Sequence, residues 1–204
     1  MKIKVCGLTT KKEAEFLNKN KVDLAGMVMF FPKSKRNITP DKAKEIISAL
    51  DKNIKRVAVV VSPSYEEIKI IESLDFDYVQ IHGELSEELE SKINLPILKA
   101  FNIKDMDLYE RYKVSKKVVG YVFDAQEPGS GKVFDWSLVK TLPKDGKILI
   151  LAGGLNPENV EKAIEYIQPD GVDVSSGVEY GDKNGKDPER IKRFVENARK
   201  CYTK

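Results

Sequence analysis

The sequence predicts an α/β protein, a compact single-domain (β/α)8 barrel of the TIM type that spans residues 1–204. Short runs rich in Val, Ile and aromatic residues recur eight times, and most are followed by a charged segment with helical spacing. Eight strands with crossover helices can close into a parallel barrel. At 204 residues the chain is short for a fold that typically takes about 250, so we expect little decoration.

The predicted strands are short and apolar, as buried parallel strands are. The main alternative is an open doubly wound sheet, which usually has fewer strands and often a GxGxxG turn after the first. Here CGLTT closes the first strand and no GxGxxG occurs. The eight strands are IKVC (3–6), LAGMVMF (24–30), RVAVVV (56–61), DYVQIH (77–82), PILKAF (96–101), VGYVFDA (119–125), KILILAG (147–153) and GVDVSS (171–176).

Five segments between or after the strands begin with residues that favour a helix start. At Ser86 the capping box is absent because Leu89 stands where Glu or Gln is needed, but Glu87 and Glu88 still favour a helix N-terminus. The segments after the first, fifth and sixth strands give weaker helix predictions. The expected starts are Thr39-Pro40, Pro63-Ser64, Ser86, Asn156-Pro157 and Asp187-Pro188.

Composition excludes several classes of protein. Hydrophobic residues make up 41% and charged residues 33% of the chain, which is typical of a globular protein. The 35 basic and 32 acidic residues are interspersed, so we expect no nucleic-acid partner. The apolar runs are too short for a membrane span and the N-terminus has no apolar h-region, so we expect a cytoplasmic protein. Cys6 and Cys201 form no CxxC pattern, which argues against a disulfide framework or a structural zinc site.

In such a barrel the chemistry lies at the carboxyl ends of the strands. Cys6 ends the first strand and shares a face with Lys4, because side chains alternate along a strand. The other candidate site residues at or near strand ends are Arg36, Gln80, His82, Lys99, Asp124, Gly153, Gly154, Asp173, Ser175, Ser176 and Gly177.

The glycine-rich ends of the last two strands predict a phosphate site. Gly153 and Gly154 allow close approach to the backbone, and a Ser-Ser-Gly turn follows the next strand. Barrels often bind phosphate between these two loops. The alternative is that these are ordinary turn glycines with no ligand. Because the two turns follow neighbouring strands, the phosphate site is favoured.

Each of the other candidates also has a structural explanation. Cys6 is either a small hydrophobe or a working thiol, Asp124 could cap a loop, and Arg36 could belong to a solvated basic surface. His82 is the only histidine, and one histidine without carboxylate help makes no metal site. Cys201 is expected to be a packing residue. The segment after Asp124, AQEPGSGKVFDW, is expected to form a loop over the site.

Taken together, six segments resemble the phosphoribosylanthranilate isomerase family of tryptophan biosynthesis. The resemblance extends from Lys4 to about Asp187. Any one of the motifs is weak, whereas their order and spacing together are specific. The segments are VCGLT, SKRNI, VQIHGE, FDA…GSGKVFDW, LAGGLNPENV and GVDVSSGVE.

The resemblance implies a barrel enzyme that needs neither a metal nor an organic cofactor and is a monomer or homodimer. It implies the Amadori rearrangement of N-(5-phosphoribosyl)anthranilate to 1-(o-carboxyphenylamino)-1-deoxyribulose 5-phosphate. Cys6 would be the general base, Asp124 the general acid, and Arg36 the ligand of the anthranilate carboxylate. His82 and Asp173 match positions near the substrate. The phosphate would be held around Gly153, Gly154, Ser175, Ser176 and Gly177.

One segment departs from the family pattern. The loop after the sixth predicted strand usually carries GGSG or GGTG, and here only Gly129-Ser130-Gly131 is present. We therefore expect a shorter lid, or one that closes differently.

The implied reaction suits these residue types. An acid protonates the ribose ring oxygen and opens the ring to an iminium, and a base then removes the proton from C2. A cysteine acts as a base only as thiolate, from an ordinary pKa of about 8.5, which nearby cations favour. An arginine fork binds both oxygens of a carboxylate.

Three other functions remain as alternatives. A phosphoribosyl isomerase of the histidine pathway would normally use two carboxylates, and a metal-dependent epimerase would need several histidines. A non-catalytic phosphosugar-binding protein would not need Cys6, Asp124 and Arg36 together. A turnover assay separates this last alternative from an enzyme.

Overall fold

The computed structural model describes residues 1–102, 108–124, 145–182 and 184–201, and these form a parallel (β/α)8 barrel. The strands in this part of the chain are β1 (Lys2–Cys6), β2 (Leu24–Met29), β3 (Asn37–Ile38), β4 (Lys55–Val61), β5 (Tyr78–His82), β6 (Ile97–Asn102), β7 (Val118–Asp124), β8 (Ile148–Ala152) and β9 (Gly171–Val174). The α-helices are α1 (Lys11–Asn20), α2 (Pro40–Ile47), α3 (Tyr65–Glu72), α4 (Glu87–Lys92), α5 (Tyr109–Lys113), α6 (Val160–Ile167) and α7 (Pro188–Lys200).

The strand order closes the barrel. Around the ring the strands run β1, β9, β8, β7, β6, β5, β4 and β2, and the pairing of β2 with β1 completes the circle. All of these pairings are parallel, with Cys6 opposite Gly26 where the ring closes. This closure rules out the open doubly wound sheet.

All eight predicted strands are confirmed, with ends that differ by up to two residues. The last ends at Val174, because a short 3-10 turn begins at Ser176. Strand β3, which continues the pairing with β2 beyond the end of β1, was not predicted. Two residues are too few to display a strand period.

The side chains of the strands alternate between two apolar layers. Val57 and Val59 point into the barrel, whereas Ala58 and Val60 pack under the helices. Lys99 belongs to the outer layer, where its Nζ donates to the carbonyl oxygens of Ile81, Gly83 and Ala100, so it does not point into the barrel.

Four of the five expected helix starts are confirmed, with Thr39, Ser64, Ser86 and Asp187 as side-chain caps. The fifth is wrong, because α6 begins at Val160, after the predicted Asn156-Pro157 start.

Helix α6 begins later in the chain than predicted because of local hydrogen bonds. Asn156 Oδ1 accepts the backbone N–H groups of Glu158 and Asn159, which forms a turn ahead of the helix.

The weaker helix predictions have mixed outcomes. Helices α1 and α5 follow β1 and β6, whereas the segment after β7, with Gly129-Ser130-Gly131, lies outside the described residues. In the described part of the chain, no helix combines the length and apolar character that crossing a membrane requires.

Candidate active site

A cavity of about 200 Å³ opens at the carboxyl ends of the strands. Nearly every site residue predicted from the sequence lines this cavity, although these residues lie far apart in the chain. Its lining includes Cys6, Arg36, Gln80, His82, Asp124, Gly153, Gly154, Asp173, Ser175 and Ser176.

Cys6 lies at the end of β1 with its side chain inside the barrel and 8% of its surface exposed. The neighbouring strand makes room for it at Gly26. A Cβ on Gly26 would lie 2.8 Å from Cys6 Sγ and 3.1 Å from Lys4 Nζ. The glycine therefore lets the thiol and the ammonium group pack against the same point of the barrel wall.

A buried ion pair lies below Cys6. Lys4 Nζ donates to Asp173 Oδ2 at 2.7 Å, with Lys4 fully buried and Asp173 7% exposed. Burial lowers the pKa of Lys4, but the charges of Asp173 and Cys6 outweigh it and the net pKa is raised. Asp173 Oδ1 is buried and has no hydrogen-bond partner among the described residues. An acceptor is therefore available at the floor of the cavity.

Burial raises the pKa of the Cys6 thiol, and the charge of Asp173 adds to this. The cations Lys4 and Lys186 act in the opposite direction without reversing it. The expected cationic neighbours are thus present, but in the unliganded protein the neutral thiol is favoured.

Asp124 lines the same cavity as Cys6, at the end of β7, and is half-buried. Around the ring, β9 and β8 separate the two strands on one side. The thiol and the carboxyl group therefore face one cavity from well-separated positions on its wall.

His82 and Gln80 form a second polar group on the cavity wall. Gln80 Nε2 and His82 Nε2 lie 2.8 Å apart. Burial and the charges of Lys4 and Lys99 lower the pKa of His82 to about 4, so the imidazole is neutral near pH 7. Gln80 Oε1 is buried without a partner among the described residues.

The two glycine-containing turns meet at the rim. Gly153 and Gly154 both have positive φ, 89° and 65°. A Cβ on Gly177 would lie 1.9 Å from the carbonyl oxygen of Leu155, so only glycine allows this close approach. Gly177 itself stands behind the cavity lining, where it brings the Ser-Ser-Gly turn against the Gly-Gly turn.

A cluster of charges that the sequence analysis missed surrounds Arg36. Arg36 Nε donates to Glu179 Oε1. Lys186 Nζ also contacts Glu179 Oε1, at 3.2 Å, and donates to the carbonyl oxygen of Ser175 at 3.1 Å. The only sequence feature that could have indicated Glu179 is its position just after the Ser-Ser-Gly turn. No sequence feature indicated Lys186.

One group of possible metal ligands occurs among the described residues. The ligand atoms of Glu161, Glu165 and Cys201 lie within 4.8 Å of one another, on α6 and just past α7. None of the three lines the cavity. Cys201 packs partly buried against the helix layer, as expected of a packing residue.

This arrangement can bind an anion and exchange protons at two separate points of a small ligand. The adjoining turns offer backbone N–H groups and serine hydroxyls, which suit a phosphate. Arg36 offers a planar cation for a carboxylate. Cys6 and Asp124 provide two titratable groups within one cavity, as general acid–base catalysis requires.

Comparisons with known proteins agree with one another. A family model described as N-(5'-phosphoribosyl)anthranilate (PRA) isomerase matches residues 3–197. The N-(5'-phosphoribosyl)anthranilate isomerases of Aquifex aeolicus and Thermoanaerobacter pseudethanolicus are 39% identical over 207 residues and 41% over 205, each alignment covering 98% of both chains.

Solved structures match equally well. The crystal structure of phosphoribosyl anthranilate isomerase from Thermotoga maritima superposes with a TM-score of 0.87 at 38% identity, covering 98% of this chain and 99% of that one. A structure in complex with reduced 1-(o-carboxyphenylamino)-1-deoxyribulose 5-phosphate gives 0.84 at 36% identity, with the same coverage of both chains.

Proposed function

The chain belongs to the N-(5'-phosphoribosyl)anthranilate isomerase family, and from this premise we propose how its residues carry the reaction. It is an isomerase of tryptophan biosynthesis that converts N-(5-phosphoribosyl)anthranilate to 1-(o-carboxyphenylamino)-1-deoxyribulose 5-phosphate. This Amadori rearrangement turns an aldose derivative into a ketose.

Asp124 is the general acid. It protonates the ribose ring oxygen as the bond from C1 to that oxygen breaks, which leaves an iminium between C1 and the anthranilate nitrogen. His82 is a poor substitute for this acid near pH 7, because a pKa of about 4 leaves its imidazole neutral, and the remaining N–H is a very weak acid. Its contact with Gln80 makes it instead a neutral wall of the substrate cavity.

Cys6 is the general base. Its thiolate removes the proton from C2, and the electrons of that bond neutralise the iminium to give an enolamine, which tautomerises to the ketone. Burial disfavours the thiolate in the unliganded protein, whereas Lys4 and the cationic iminium favour it. The base is thus expected to ionise in the complex, where the proton is to be taken.

The two anionic groups of the substrate take different parts of the rim. Arg36 holds the anthranilate carboxylate, for which a planar fork is suited. The turns of Gly153-Gly154 and Ser175-Ser176-Gly177 hold the phosphate. Oδ1 of Asp173, which has no hydrogen-bond partner in the part of the chain that the structure describes, accepts a hydrogen bond from a hydroxyl of the sugar chain.

The remaining expectations concern the whole molecule. Residues 1–204 form one catalytic domain that acts in the cytoplasm, without metal or organic cofactor and without nucleic-acid or membrane partners. Its partner is the phosphoribosyl substrate, and it is a monomer or a homodimer. A solved relative from Thermotoga maritima is described as dimeric, which supports the second possibility.

The observation that carries the assignment of roles is the meeting of Cys6, Asp124 and Arg36 in one cavity. The test generates the substrate in place from anthranilate and phosphoribosyl diphosphate and follows the loss of its fluorescence. Wild-type protein should turn it over many times per active site. If variants of Cys6 and Asp124 converted the substrate as fast as the wild-type protein, the assigned roles would be wrong.

A further inference from the structure

Arg36 is held by one edge of its guanidinium group. Its Nε donates to Glu179 Oε1, and the hydrogen bonds of the described residues use neither of its terminal nitrogens. A guanidinium group offers two edges to a carboxylate, one with Nε and one with the two terminal nitrogens. Glu179 occupies the first edge and leaves the second for a ligand.

The aliphatic part of Arg36 is held as well. A Cβ on Gly7 would lie 2.3 Å from Arg36 Cδ, so the side chain crosses directly over the backbone that follows β1. With the stem against Gly7 and Nε on Glu179, the direction of the free edge is determined. Arg36 lines the cavity that contains Cys6 and also an adjoining cavity of about 510 Å³.

Glu179 remains charged at working pH. Burial raises its pKa, but hydrogen bonds from Arg36 and Lys35 and the charge of Lys186 outweigh it and lower the value to about 2. Lys35 Nζ lies 2.9 Å and Lys186 Nζ 3.2 Å from its oxygens. One carboxylate facing three cations leaves the cluster positive, which still favours an anionic ligand.

We propose that Glu179 is a positioning residue, which holds Arg36 through Nε so that its terminal nitrogens grip the aryl carboxylate of the substrate. The inference rests on the proposed role of Arg36. It makes Glu179 a determinant of selectivity for a carboxylated aryl group and not a participant in proton transfer. The opposite possibility is that Glu179 competes with the substrate for Arg36, and the two predict opposite changes in affinity.

The test measures binding of two stable ligands by calorimetry. The first is reduced 1-(o-carboxyphenylamino)-1-deoxyribulose 5-phosphate, and the second is its counterpart without the aryl carboxyl group. The variants are Glu179→Gln, Arg36→Met and the double variant. Asp77→Asn is a matched control, because Asp77 also accepts from an arginine Nε and a lysine but lies just before β5, at the opposite end of the barrel.

Glu179→Gln keeps an oxygen that can accept from Arg36 Nε but removes its charge, so binding of the carboxylated ligand should weaken by about tenfold, as replacing a charged hydrogen bond by a neutral one does. Binding of the ligand without the carboxyl group should stay within about twofold, which also reports that the variant is folded. The double variant should bind no worse than Arg36→Met. Single-turnover rates at saturating substrate should remain near wild type, so that the change falls on KM.

Three results would overturn the inference. Equal weakening for both ligands would mean a general structural role, unchanged binding would mean no role, and tighter binding would mean competition. Arg36→Met is read separately, because normal affinity of that variant for the carboxylated ligand would refute the assigned role of Arg36 itself. Asp77→Asn should lose stability and keep both affinities.

Discussion

Lys4 Nζ and Asp173 Oδ2 lie 2.7 Å apart inside the barrel, on the paired strands β1 and β9. Cys6 stands two residues after Lys4 on the same face of β1. Removing one member of a buried ion pair leaves the other charge uncompensated and typically costs about 3–5 kcal/mol. Here it should also shift the ionisation of the thiol, because both charges act on Cys6.

The first prediction concerns this thiol. In a Cys201→Ser background, which leaves Cys6 as the sole cysteine, Lys4→Met should raise the pKa of the Cys6 thiol and Asp173→Asn should lower it. A cation favours the thiolate and an anion opposes it. The measurement is the ultraviolet absorbance of the thiolate against pH, below the unfolding temperature of each variant. Shifts in the same direction would contradict the assigned geometry.

Cys6→Ser should leave ligand affinity almost unchanged and lower turnover by about 10²–10⁴-fold, because a hydroxyl is far less ionised than a thiol near neutral pH. The measurement is single-turnover conversion beside calorimetric binding of the reduced product. Cys201→Ser is the control, since Cys201 stands apart from the cavity and should keep the wild-type rate. A Cys6→Ser protein with near wild-type kcat would make Cys6 structural.

Arg36→Met should act mainly on substrate affinity. The substitution removes the fork that binds a carboxylate and keeps most of the apolar stem over Gly7. We expect KM to rise by about tenfold or more, with a smaller change in kcat from poorer positioning. Steady-state kinetics with the carboxylated substrate decide this, and an unchanged kcat/KM would rule out the role.

Asp124→Asn should stall ring opening, so that the bound species remains closed ribofuranose. Wild type should show a bell-shaped kcat profile, with an acidic limb from the base and an alkaline limb from the acid. In the Asn variant the alkaline limb should vanish with most of the rate. Product release can mask both limbs, so the measurement is single turnover across pH. Wild-type rates would mean that the proton comes from another group.

Asp77→Asn should remove a pH-dependent contribution to the free energy of unfolding without affecting catalysis. Burial raises the pKa of Asp77, but hydrogen bonds from Arg56 and Lys55 outweigh it and lower the value to about 2. A lowered folded-state pKa stabilises the protein above the ordinary value near 4, and that contribution disappears as pH falls to about 2. We expect a loss of about 1–2 kcal/mol near pH 7 that shrinks through this range, measured by urea unfolding.

The fold could be predicted from local patterns. Val57 to Val60 show why, since adjacent apolar residues pointing alternately to two buried layers read as one continuous apolar run. The helix caps Thr39, Ser64, Ser86 and Asp187 are likewise encoded within a few residues of their partners. The start of α6 was mispredicted because reciprocal hydrogen bonds of Asn156 and Asn159 hold residues 156–159 in a turn, and the regular helix begins only after it.

The sequence by itself determined the eight strands, the barrel and the identity of the residues at the strand ends, because each depends on neighbours along the chain. Only the tertiary structure decided which charges meet at the site. Glu179 reaches Arg36 across 143 positions, and Asp173 reaches Lys4 across 169. The direction of the pKa shift of Cys6 depends on burial and on those distant charges together. Electrostatic interaction follows distance in space, which a closed barrel sets by joining the two ends of the chain.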